Sequence, residues 1–136
     1  ISACLVGSEM CIRDRMKNQS QAKSFAVAFV GIGRAFMSEV HMKVHLVFAL
    51  MALIACWVLQ VEPWGWCAVI VCIGMVVSAE VLNTAMEALC DKVSPDYDHL
   101  IEIAKDAAAG AVLVLAITSV VVGLIVFIPA LMKFIA

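Results

Sequence analysis

The sequence predicts an all-α integral membrane protein, with an N-terminal amphipathic helix at the membrane surface and three transmembrane helices. Hydrophobic residues make up 65% of the 136 residues and charged residues only 15%, whereas a soluble domain has about 25% charged residues. Three long segments carry few or no charges, and a helix needs roughly 20 apolar residues to cross the hydrocarbon core. None of the three alternates with the period of two that is typical of transmembrane strands.

The first 40 residues divide into a tail and an amphipathic helix. Residues 1–15 lack the apolar segment of a signal peptide, and we interpret them as a non-native or disordered tail before Met16. Residues 16–136 are interpreted as one membrane domain, because a chain of this length suits a single domain. A surface helix is predicted over about residues 18–40 from apolar residues three and four apart on one helical face. These residues are Phe25, Phe29, Ile32 and Phe36.

The three transmembrane spans are predicted at about residues 44–61, 64–90 and 105–132. The first has no formally charged residue and the third has none after residue 106, whereas the second carries Glu80 and Glu87. Only four residues separate the first two spans, which predicts a tight turn. Aromatic residues accumulate where helices leave a membrane, and three tryptophans surround this turn: Trp57, Trp64 and Trp66.

The basic residues predict the orientation in the membrane. Eight of the nine lie before the first span or between the second and third, and Lys133 alone lies on the other side. The positive-inside rule therefore places the N-terminus and the second loop in the cytoplasm.

Several classes of function are excluded or disfavoured. The net charge of −2 has the wrong sign for a nucleic-acid-binding protein. The six cysteines form no C-x-x-C pair, so no zinc or redox motif is indicated. His41 and His45 are four residues apart without a third zinc-type ligand nearby, and we interpret them as interfacial histidines. The G-x-x-x-x-G-K-[ST] motif of P-loop enzymes does not occur.

Polar residues form a stripe along the second span. On an α-helix, four of them project within about 60° of Glu80, and the stripe is about 16 Å long. They are Asn83, Thr84, Glu87 and Asp91. Charged groups at membrane depth are costly and mark function by default. Carboxylate oxygens suit Mg²⁺, so the stripe favours a cation site over the alternative of a structural polar seam.

The predicted topology brings further charged residues to the cytoplasmic end of this stripe. Glu39 lies near the end of the surface helix, and Lys105 and Asp106 begin the third span. Glu80 lies about 10 Å deeper than Glu87. Phosphoryl transfer requires bound Mg²⁺, a cation on the phosphates and a residue that handles the acceptor proton. The inventory therefore indicates phosphate transfer from a water-soluble donor to a lipid acceptor.

The same residues carry a specific resemblance. The run E-V-L-N-T-A-M-E at residues 80–87 is followed by Asp91, by V-S-P at 93–95 and by A-K-D-A-A-A-G-A-V-L at 104–113. This pattern resembles the prokaryotic diacylglycerol kinase family, which includes the undecaprenol kinases. The resemblance extends from about Phe25 to about Phe127.

The resemblance implies an enzyme that phosphorylates a lipid alcohol directly from ATP with Mg²⁺. It also implies a homotrimer in the bacterial cytoplasmic membrane, with active sites at subunit interfaces on the cytoplasmic side. Thr84 and Ser94-Pro95 resemble the undecaprenol kinases more than the diacylglycerol kinases, so undecaprenol is the favoured acceptor and diacylglycerol the alternative.

Roles follow from the resemblance residue by residue. Glu80 would be the catalytic base, and Glu39 and Glu87 would hold Mg²⁺ with the nucleotide. Asn83 and Asp91 would shape the site. The remaining nucleotide contacts would be Lys105, Asp106, Asp96, Tyr97 and Asp98, and the lipid would contact Glu80, Ala109 and Arg34.

Two other functions compete with this reading. A catalytically inactive membrane scaffold or lipid-binding subunit would keep the fold but lose a site residue, and every site carboxylate and the lysine are present. A small cation transporter would use the acidic stripe, but three helices without an inverted repeat leave little room for alternating access.

Overall fold

The computed structural model describes residues 21–94 and 98–136, and every regular element in this part of the chain is an α-helix. The helices are α1 (Gln21–Ser38), α2 (Val40–Val58), α3 (Pro63–Val93) and α4 (His99–Ile135). The interpretation of residues 1–15 as a tail lies outside the described residues. The predicted all-α class, with three long apolar helices after an N-terminal one, is confirmed.

Helix α1 ends one residue before α2 begins. Glu39 has an extended backbone, with φ −103° and ψ 131°, and it precedes the first residue of α2 as its N-cap. Its own N–H donates to the carbonyl of Ala35 at 3.3 Å. One non-helical residue therefore interrupts what would otherwise be a continuous helix, and that residue carries a carboxylate.

The turn between α2 and α3 is a Schellman motif. The Val61 N–H donates to the Cys56 carbonyl at 3.0 Å, and the Gln60 N–H donates to the Trp57 carbonyl at 3.3 Å. This motif requires a left-handed residue after the helix, and Gln60 has φ 50°. Pro63 then begins α3 at a position where its missing N–H costs nothing.

Helices α3 and α4 form the most extensive packing, and α2 packs mainly on α3. The core at the turn end of the bundle consists of Cys56, Val69 and Val126, one residue from each helix. Gly65 permits this close approach, because a Cβ there would lie 3.0 Å from Val126 Cγ1 and would overlap the Val61 side chain.

Three helices are long and apolar enough to cross a membrane: α2, α3 and α4. Helix α3 is about 46 Å long and α4 about 55 Å, whereas the hydrocarbon core is about 30 Å thick. Both therefore extend beyond the core. Most large apolar side chains on these helices are exposed on the isolated chain, as expected of surfaces that face lipid or other membrane helices.

At the turn end, Glu62 before α3 makes two polar contacts, one of them with the end of α4. The Trp64 indole Nε1 donates to Glu62 Oε2 at 3.2 Å, and Lys133 Nζ lies 4.0 Å from Glu62 Oε1. Because both side chains of the Glu62–Lys133 ion pair are exposed, the pair contributes at most about 1 kcal/mol to the free energy of unfolding.

Candidate active site

The buried face of α3 changes from apolar to polar at Glu80. The buried residues of this helix recur at intervals of three, four and seven, and they are Gly65, Val69, Val76, Glu80, Asn83 and Cys90. Glu80 is 3% exposed and Asn83 8% exposed. Burial of a carboxylate and an amide is costly unless they are hydrogen-bonded or paired, and ionisable residues at membrane depth mark function by default. Of the stripe predicted from the sequence, Glu80 and Asn83 are buried, and Asp91 is exposed at its end.

Asn83 and Glu87 are joined within the stripe. The Asn83 amide Nδ2 donates to Glu87 Oε1 at 3.0 Å. The other end of the same amide, Oδ1, is buried and has no hydrogen-bond partner among the described residues. Asn83 thus fixes the Glu87 carboxylate and presents a free acceptor oxygen beside it.

Thr84 is bonded within its own helix. Its Oγ1 donates to the Glu80 carbonyl at 2.9 Å, a common arrangement for threonine in helices. The bond orients the hydroxyl toward the backbone rather than toward the carboxylates.

Asp91 and Lys105 connect the polar ends of α3 and α4. Lys105 Nζ donates to Asp91 Oδ1 in a hydrogen-bonded ion pair. The two residues are 14 positions apart, on either side of the connection between the helices. The sequence predicts that these two residues lie at the same end of the bundle, and in the structure they form an ion pair.

The connection before α4 contains three residues to which the resemblance assigns nucleotide contacts. Asp96 and Tyr97 lie outside the described residues. Asp98 is the N-cap of α4, and its Oδ1 accepts from the N–H groups of Leu100 at 2.8 Å and Ile101 at 3.3 Å. The Asp98 carboxylate thus has a structural role at the start of the helix, which the sequence analysis did not predict.

The remaining predicted site residues lie on α4, on α1 and at the break before α2. Asp106 and Ala109 are exposed on α4, and Arg34 is exposed on α1. Glu39 is half-buried at the break before α2. Among the described residues, no three His, Cys, Asp or Glu side chains come together as a metal-binding group. The proposed pairing of Glu39 with Glu87 on Mg²⁺ therefore remains a proposal.

An apolar cavity of about 400 Å³ lies between α2, α3 and α4. Val76 and Val77 line it on α3, one turn before Glu80. Its α4 wall includes the small residues Ala116, Ser119 and Gly123. The polar groups on its wall are few, and one is the half-buried His45 of α2.

This cavity was not predicted from the sequence, although α4 carries a pattern that is compatible with it. Ala116, Ser119 and Gly123 are spaced by three and four, which places three small residues on one face of α4. Small residues at this spacing permit close helix contact or, where the neighbouring helices do not close in, leave a groove.

Comparison with known proteins identifies the family of the chain. A family model described as prokaryotic diacylglycerol kinase matches residues 26–127. The chain is similar to an undecaprenol kinase from Bacillus subtilis, with 37% identity over 80% of this chain and 89% of that protein. It is also similar to a diacylglycerol kinase from Synechocystis sp., with 34% identity over 81% of this chain and 63% of that protein.

A diacylglycerol kinase from Escherichia coli is 32% identical over 73% of this chain and 81% of its own length. Residues 26–127, which the family model matches, include the polar face of α3, the Asp91–Lys105 pair and the residues that line the cavity. The chain therefore belongs to the prokaryotic diacylglycerol kinase family, and it is a multi-pass membrane lipid kinase that uses ATP as co-substrate.

Proposed function

We propose that this kinase phosphorylates a long-chain lipid alcohol with ATP and Mg²⁺ by direct transfer at the cytoplasmic face of the membrane, and that undecaprenol is preferred over diacylglycerol. The observation that carries the proposal is the position of Glu80. Its buried carboxylate lies one helical turn from an apolar cavity on one side and one turn from the Asn83–Glu87 pair on the other. This arrangement suits a substrate with a hydroxyl at the end of a hydrocarbon chain.

Glu80 acts as the general base. The lipid hydroxyl oxygen attacks the γ-phosphorus of ATP, and the new O–P bond forms as the bond to the bridging β–γ oxygen breaks. Glu80 takes the hydroxyl proton, and ADP leaves. Burial excludes water from the carboxylate, which disfavours hydrolysis of ATP as a side reaction.

Lys105 neutralises phosphate charge at the rim of the site. Its ammonium group is held at the end of the α3 stripe by Asp91, and a lysine serves as a point charge for phosphate oxygens. Asp106 and the segment 96–98 contribute the other nucleotide contacts in this proposal.

The donor set fits Mg²⁺. Glu87 and the Oδ1 atom of Asn83, which has no partner in the part of the chain that the structure describes, are hard oxygen ligands. Mg²⁺ prefers such ligands together with substrate phosphates and water. Glu39 supplies a second carboxylate in the proposal. When bound, Mg²⁺ would neutralise charge on the transferred phosphate. Asn83 would keep the Glu87 carboxylate in place, because one of its oxygens already accepts from the amide.

The acceptor is proposed from similarity and from the cavity. The Bacillus subtilis relative is named an undecaprenol kinase, and Thr84 and Ser94-Pro95 favour that branch. An almost wholly apolar cavity suits a polyprenyl chain, which has no ester groups near its hydroxyl. Diacylglycerol carries such esters and is the second candidate.

We further propose a homotrimer with its N-terminus in the cytoplasm. The exposed apolar faces of α2 to α4 provide surface for other copies, and a site with fewer than three described acidic ligands in contact would gain from a neighbour. Eight of nine basic residues precede the first span or lie between the second and third, which supports the orientation.

The experiment is phosphate transfer from labelled ATP by the purified protein in mixed micelles. Undecaprenol and diacylglycerol are offered separately, each with Mg²⁺ and with excess EDTA. We expect transfer to undecaprenol that requires Mg²⁺ and falls at least about 100-fold in Glu80→Gln. Binding of a fluorescent ATP analogue should survive that substitution, and Glu62→Gln at the opposite end of the bundle is the matched control.

The outcomes separate the competing functions. Transfer to diacylglycerol alone would keep the reaction and overturn the acceptor. Full activity in Glu80→Gln would overturn the base. Folded protein that binds the nucleotide but phosphorylates neither lipid would support the inactive scaffold.

A further inference from the structure

The ammonium group of Lys105 forms an ion pair with Asp91, which is one of two neighbouring carboxylates on α3. Asp91 lies in direct contact with the ammonium, and Glu87 is the preceding carboxylate of α3. Glu87 precedes Asp91 by four residues, so the two carboxylates are neighbours on one face of α3. The lysine therefore has two possible partners on this face, one at the rim and one a turn deeper.

The two carboxylates differ in their surroundings. The Asp91 side chain is 68% exposed and that of Lys105 is 38% exposed, so their pair lies at the water boundary. Glu87 is half-buried and already accepts from Asn83. An ammonium group drawn onto Glu87 would occupy the carboxylate oxygen that the amide leaves available.

We propose that Asp91 is a positioning residue, which holds Lys105 at the rim of the site and prevents it from pairing with Glu87. This inference rests on the proposed role of Lys105 as a nucleotide contact. Asp91 itself touches neither substrate. Asp91 thereby keeps the ammonium group of Lys105, which contacts phosphate, away from the carboxylate of Glu87, which holds the metal. This separation lasts until ATP binds.

Positioning of Lys105 and simple charge repulsion predict opposite changes in the KM for ATP when Asp91 is replaced by asparagine. If Asp91 acted only as an anion near the phosphates, Asp91→Asn would remove repulsion and lower the KM for ATP. If it positions Lys105, the freed lysine pairs with Glu87 and the KM for ATP rises. An exposed pair supports a change of about threefold to fivefold, with kcat and the KM for lipid nearly unchanged.

The test compares Asp91→Asn, Asp91→Glu and the control Glu62→Gln in the full chain. Glu62→Gln also converts the acid of an exposed lysine pair to an amide, at the far end of the bundle. We expect a raised ATP KM in Asp91→Asn, recovery in Asp91→Glu and no change in the control. Titration with a fluorescent trinitrophenyl derivative of ATP, with and without Mg²⁺, should show the same order of affinities.

A double-mutant cycle tests whether Asp91 changes the nucleotide affinity through Lys105. In a Lys105→Gln background, Asp91→Asn should add no further loss of nucleotide affinity, because the residue has nothing left to position. An unchanged or lowered ATP KM in Asp91→Asn would overturn the proposal, as would an equal loss in the Lys105→Gln background. Should the wild type bind the analogue without phosphorylating either lipid, the proposed function fails, and the ratios of affinity still decide the role of Asp91.

Discussion

Asn83 donates a hydrogen bond to Glu87 across one turn of α3, while its own amide oxygen is buried without a partner among the described residues. An unsatisfied buried acceptor costs about 1–3 kcal/mol. The fold therefore carries a destabilising group beside the proposed metal carboxylate, which is typical of sites arranged for a ligand rather than for stability.

Replacement of Asn83 by leucine should separate stability from activity. The substitution removes the orphan acceptor, and water can satisfy the half-buried Glu87, so we expect the free energy of unfolding to be unchanged or about 1 kcal/mol higher. Phosphate transfer should fall at least about 100-fold, as when one oriented polar group is removed from an active site. Activity assays and SDS-induced unfolding in mixed micelles measure the two quantities.

Thr118→Val is the control for this substitution, because it removes an exposed hydroxyl bonded only within α4. A clear loss of stability in Asn83→Leu would contradict the prediction. It would mean that the Oδ1 atom has a partner in the assembled protein.

Gly65→Ala should destabilise the turn end of the bundle. The added Cβ would overlap Val61 and press on Val126, and overpacking of this kind costs about 1–3 kcal/mol. SDS-induced unfolding should show the loss, and a second substitution, Val61→Ala, should recover part of it. Gly74→Ala, with open space around the added Cβ, is the matched control in the same helix, and an equal loss there would contradict the packing explanation.

Asp98→Ala should weaken the start of α4. Its carboxylate accepts from two N–H groups that otherwise have no partner in the helix, and loss of such a cap costs about 0.5–2 kcal/mol. Asp98→Asn should retain most of the stability, because an amide oxygen also caps helices. If both variants lose nucleotide affinity at wild-type stability, the carboxylate acts on the nucleotide and not through the cap.

Val77→Phe should fill the cavity and impair use of the lipid. Val77 lines the cavity beside Glu80, so the larger side chain should raise the KM for the lipid severalfold, with the KM for ATP unchanged. Val71→Phe is the control, since Val71 is exposed on the same helix and does not line the cavity. Equal effects of the two substitutions on the lipid KM would show that the cavity does not hold the chain.

Much of this fold could be read from the sequence, because the features that determine it are local. Long uncharged segments specify membrane helices, and 100° per residue places Glu80 and Glu87 on one face. The resemblance to the family rests on the same short motif.

The rest depends on contacts between distant residues. Asp91 and Lys105 were expected near each other, but only the packing of α3 on α4 shows that they pair. The sequence alone is compatible with Asp98 as a nucleotide ligand or as a helix cap, and only its hydrogen bonds show that it caps α4. The small residues of α4 are compatible with either close helix contact or a groove, and only the distances between the three helices show that a cavity forms.

The position of Glu80 along α3 determines its depth in the bilayer. Glu80 lies 17 residues after Pro63, which is about 26 Å along the axis. With the α2–α3 turn at one membrane surface, the carboxylate falls a few ångströms inside the opposite boundary of a core about 30 Å thick. If Glu80 is the base, as proposed, a lipid hydroxyl would reach it from its ordinary depth in the leaflet. Because hydrophobic mismatch moves or tilts a helix, turnover in vesicles should be greatest when acyl-chain length matches this spacing.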